Sequence, residues 1–78
     1  MNVHKKKPKD ILEYYEEVIE HGDYQRIAKL TRKYDGNCFT ADYVRKVLRG
    51  ERENVMIKDV ARLYFKKKVA MQYSLRQR

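Results

Sequence analysis

The sequence predicts an all-α fold, a small domain of four short helices. Three observations carry that expectation. Apolar residues recur at helical spacing in four separate stretches, and nowhere alternate long enough to make a strand. Each stretch opens on a residue suited to a helix start: Pro8, Asp23, Thr40 and Asn54. Glycines at 22, 36 and 50 close the first three. A chain of 78 residues has room for one modest core.

The first helix is expected from Pro8 to His21. Its apolar residues are Ile11, Leu12, Tyr15, Val18 and Ile19, and Glu13, Glu16, Glu17 and Glu20 fill the other face. Those carboxylates lie along a solvated surface with no sign of burial, so they do not read as a general acid–base pair. Asp23 caps the second helix, with Tyr24, Ile27, Ala28, Leu30 and Tyr34 turned inward. The small Ala28 lets another helix cross closely. Asp35-Gly36-Asn37 is a turn signal that stops it. Cys38 reads as a small buried apolar group, because no nearby histidine would activate its thiol.

The third helix spans 40–49. Thr40 caps it, Phe39 staples the chain entry, and Val44, Val47 and Leu48 form one apolar stripe. Ala41, Asp42, Tyr43, Arg45, Lys46 and Arg49 lie on the other side. A short helix of this kind fits a DNA major groove, and it fits an ordinary solvated surface as well. The last helix is capped by Asn54 and runs from Val55 to about residue 72. Ile57, Val60, Ala61, Tyr64 and Lys68 make its stripe, flanked by Met56, Leu63 and Phe65. Val69, Met71 and Tyr73 prolong the apolar character past what a small core needs. They end either in a frayed tail or in an extension that packs on a second copy of the chain.

The domain is therefore expected over 8–73, between a basic arm at 1–7 and a basic tail at 74–78. The formal net charge of +8 is uneven. Residues 1–22 carry four lysines against five acids, and the remainder carries fifteen basic residues against six acids. That asymmetry suggests a polyanion partner for the body. Cys38 is the single cysteine, so an internal disulfide is excluded and a reducing cytoplasm fits. His4 and His21 lack the spacing of a metal site, and no cofactor or small-molecule ligand is implied. No run is apolar enough to read as a signal peptide or a membrane span.

Tyr24-Gln25-Arg26-Ile27-Ala28-Lys29-Leu30-Thr31, followed by Phe39-Thr40 and the helix closed by Gly50, resembles the helix-turn-helix of phage repressors and Cro proteins. The resemblance covers about residues 10–65 and implies a lambda-repressor-like fold. The chain departs from the family in the turn: Arg32 stands where a glycine is usual, and 32–39 is lengthened. By that resemblance Ala41, Asp42, Tyr43, Arg45 and Lys46 face base edges, while Tyr24, Thr40, Arg49 and Arg52 touch phosphates.

The expected function is sequence-specific binding of double-stranded DNA by a regulator of the phage or mobile-element kind. It would be cytoplasmic and associated with the nucleoid, with a homodimer through the C-terminal helix. A protein-interaction module that binds an acidic partner is the alternative. A third reading has the seven tyrosines stacking on single-stranded nucleic acid, but Tyr15, Tyr24, Tyr34 and Tyr64 lie on apolar stripes. An enzyme is not expected, since no nucleophile, base and oxyanion donor come together.

Overall fold

The computed structural model describes residues 10–76, with side chains as far as residue 72. Pro8 and the arm at 1–7 lie outside the described residues, as do the last two residues of the tail. The fold is all-α. Three α-helices are present among the described residues, α1 (Asp23–Asp35), α2 (Ala41–Leu48) and α3 (Val55–Arg76), and no strand.

The expected first helix is not an α-helix. Residues 10–21 form two short 3-10 turns, Ile11–Glu13 and Tyr15–Glu17, broken at Tyr14. A helix here would stack Glu13 on Glu17 and Glu16 on Glu20, with no basic residue between 10 and 21 to offset them. It would also string together aromatic and β-branched residues, which lose rotamer freedom in a helix. Two 3-10 turns keep what the spacing promised, since Ile11 and Tyr15 are both buried.

Local chemistry sets the starts of α2 and α3 and the ends of α1 and α2, but the start of α1 differs from expectation: Gly22 holds the cap position without a side-chain bond, and Asp23 is the first helical residue. Thr40 accepts a hydrogen bond from the Tyr43 amide at 3.0 Å, and Asn54 accepts one from the Ile57 amide at 3.0 Å. α1 stops at Gly36, whose φ of 81° allows its N–H to reach back to the Arg32 carbonyl at 2.7 Å. α2 closes in a Schellman motif: the Glu51 amide donates to the Lys46 carbonyl and the Gly50 amide to the Val47 carbonyl.

The core is made of Ile11, Tyr15, Ile27, Ala28, Val44, Val47, Ile57, Val60, Ala61 and Phe65. Each large apolar side chain so buried contributes about 1.5–3 kcal/mol. Several positions differ from the sequence reading. Phe65, expected at the flank of its helix, is fully buried. Tyr34 and Leu63 stand about two-thirds exposed. Cys38 is an exposed free cysteine on the five-residue link between α1 and α2, because that link crosses the surface and not the core. α3 reaches Arg76, beyond the expected end near residue 72.

Candidate nucleic-acid interface

α2 is held by its inner stripe. Val44 and Val47 are fully buried, and Leu48 packs beside them. The outer face is thereby fixed. Asp42 projects from the first turn and holds two cations, Arg45 Nη2 at 2.5 Å and Lys46 Nζ at 3.3 Å. These are i,i+3 and i,i+4 neighbours on one helix surface. The Arg45 guanidinium, followed by the Lys46 ammonium, keeps the Asp42 carboxyl below the usual carboxylate range. All three side chains remain in contact with solvent, Asp42 at 57% and the cations near one-third.

The other expected contacts are placed less freely. Tyr43 stacks on Phe39, ring centroids 5.2 Å apart, and is half-buried. The Thr40 hydroxyl is engaged in the cap. Arg49 lies 3.4 Å from Glu51, and Arg52 donates to the Glu51 carbonyl at 3.0 Å. Ala41 and Tyr24 come together. With His21, Gly22 and Gln25 they line a shallow depression of about 190 Å³. The first turns of α1 and α2 therefore border one depression.

No protein family, curated protein or solved structure matches the chain.

Part of the body's positive charge forms a row on α1. Lys29, Arg32 and Lys33 share the outer side of α1 and are exposed. Among the described residues none of them enters an ion pair. Their i, i+3, i+4 spacing was the available signal.

A second cluster was not foreseen. Asp23 is 1% exposed, in the first turn of α1. Its carboxylate accepts from the Glu20 amide at 2.8 Å, Arg26 Nη1 at 3.0 Å, the Tyr64 hydroxyl at 2.5 Å and Lys68 Nζ at 2.5 Å. Lys68 also reaches Glu20 at 2.8 Å. Burial works to raise the Asp23 carboxyl, but the bonds from Lys68, Tyr64 and the Glu20 amide outweigh it and hold the group below its ordinary value. Burial likewise opposes the Lys68 charge, and Asp23 and Glu20 more than restore it. Lys68 on an otherwise apolar stripe was the clue, since a half-buried ammonium requires an acid. Both Asp23 oxygens are taken by protein donors, and the cluster joins α1 to α3. Among the described residues no group of three or more His, Cys, Asp and Glu has metal-holding geometry. No described helix is long and apolar enough to cross a membrane.

Proposed function

We propose that the chain binds double-stranded DNA as a helix-turn-helix regulator, with α2 in the major groove and the N-terminus of α1 against an adjoining phosphate. The observation that carries this reading is the shared depression at the starts of α1 and α2. The first turns of both helices line that depression, a setting that suits a phosphate, and the polar side of α2 lies outward beside it. The charge of +8 supplies the sequence-independent attraction.

The reading part falls to Ala41, Asp42, Arg45 and Lys46. Exposed pairs such as Asp42–Arg45 are weak because water competes for both partners, so both cations can leave Asp42 for guanine or a phosphate. The neighbouring Asp42 is then free to accept from cytosine. Thr40 and Tyr43 support the helix from within. Tyr24, Arg49, Arg52 and the α1 row Lys29, Arg32 and Lys33 are the phosphate contacts.

Fluorescence anisotropy of a labelled mixed-sequence duplex at several salt concentrations tests this. Binding should appear at low salt, with its logarithm falling linearly at about 0.9 per phosphate neutralised. Arg45→Ala with Lys46→Ala should weaken binding and flatten the slope while the helical circular dichroism is kept. No binding at low salt would overturn the reading. The partner would then be an acidic protein surface, a reading favoured by the five-residue link between α1 and α2, longer than the turn of a helix-turn-helix.

A further inference from the structure

The longest unpartnered apolar surface lies on α3 and the adjoining edge of α1. Met56, Leu63, Ala70 and Met71 fall on one side of α3, spaced by seven or eight residues, over a floor formed by Val60. Tyr34 and Leu30 border the stripe from α1, and a groove of about 120 Å³ runs between the helices there. It meets a larger depression of about 410 Å³ lined by Tyr64, Lys67 and Met71. Val55, Leu63, Met71 and Tyr34 are each 60–66% exposed, so the surface offers large side chains and not merely aliphatic stems.

We infer that this surface pairs with a second copy of the chain, α3 against α3 in antiparallel orientation about a two-fold axis at Leu63. The proposal goes beyond DNA binding and stands apart from it. A two-fold interface must be self-complementary: what one position offers, its symmetry mate must accept. About Leu63 the sequence meets that demand. Leu63 faces itself, Val55 and Met56 face Met71 and Ala70, and Asp59 faces Lys67. The charge match is available. Asp59 gives only its Oδ1 to Arg62, at 2.9 Å, and remains 61% exposed. Lys67 is exposed and enters no ion pair among the described residues. Val55 of one copy falls at the open depression beside Met71 of the other. The stripe from Met56 to Met71 is about 22 Å long at 1.5 Å per residue.

Sedimentation equilibrium of the protein without DNA, with two substitutions at the axis, is the experiment. Leu63 is exposed, so Leu63→Glu should leave helical content unchanged. It should weaken dimerisation at least tenfold, because it sets two carboxylates face to face. In a Cys38→Ser background, Leu63→Cys should oxidise to a disulfide-linked dimer, while Lys29→Cys should form no such link. Two copies of charge +8 repel, so moderate salt should strengthen the dimer. That is the opposite of its effect on DNA binding, and the two proposals fail separately. A wild-type monomer up to several hundred micromolar overturns the dimer. So does a dimer that survives Leu63→Glu, or one that leaves Leu63→Cys unlinked.

Discussion

Two aspartates in this chain each hold two cations, and they behave as opposites. Asp42 binds Arg45 and Lys46 from its own helix, three and four residues away, in contact with water. Asp23 binds Arg26 from its own helix, together with Tyr64 and Lys68 from α3, and is sealed from solvent. The chemistry is nearly the same. The difference is what replaces a lost partner. Around Asp42 water replaces it, so the pairs are cheap to open and the cations stay available to a polyanion. Around Asp23 water does not reach the bonds from Tyr64 and Lys68, so these two partners are obligatory and fix how α1 lies on α3, while the exposed Arg26 adds little.

The sharpest way to break that contrast is to remove each carboxylate. Asp23→Ala should cost about 3–5 kcal/mol, because Lys68 and the Tyr64 hydroxyl lose their shared acceptor. Asp42→Ala should leave the urea midpoint nearly unchanged. Urea denaturation of both variants checks this. Equal losses would show that exposure does not govern the pair.

The pH dependence should divide the same way, with a smaller effect. The Asp23 carboxyl is held below its ordinary value of 3.8, so its contribution is present above that pH. It fades as pH falls through the lower folded value. Lys68 is held above 10.5, so its contribution is present below that pH and fades as pH rises further. Melting temperature measured across pH should therefore fall at both extremes, and Asp23→Asn should flatten the acid limb. An acid limb unchanged by Asp23→Asn would place the titrating carboxylate elsewhere.

The smallest effect belongs to Asp42→Asn. Freeing Arg45 and Lys46 should raise affinity for mixed-sequence DNA, more at low salt than at high. If Asp42 also accepts from cytosine, the same change should relax preference at that base pair. Lower affinity on every sequence would mean that Asp42 orders the two cations for binding.

Much of the candidate interface could be read from the chain, because its signals are local. The caps at Thr40 and Asn54, the stop at Asp35-Gly36, the closing Gly50 and the Val44–Val47–Leu48 stripe each act over about four residues, and all appear where expected. The Asp42 pairs were equally local, although the sequence reading gave Asp42 a base contact and did not foresee them. Residues 10–21 misled for a related reason. Their apolar spacing was helical, and the stacked carboxylates that oppose an α-helix there were counted as a solvated face.

By itself the sequence determined an all-α chain, the positions of α1, α2 and most of α3, and the excess of positive charge over the body. Tertiary structure decided the rest. It turned Asp23 from a cap into a buried hub reached from 41 and 45 residues away, and it joined Asp10 to Arg62 across 52. It buried Phe65, left Leu63 and Cys38 exposed, and brought the starts of α1 and α2 to one depression. The division follows from range. A cap or an i,i+4 pair is settled within one turn of helix, whereas burial depends on which faces meet after the chain has folded back on itself.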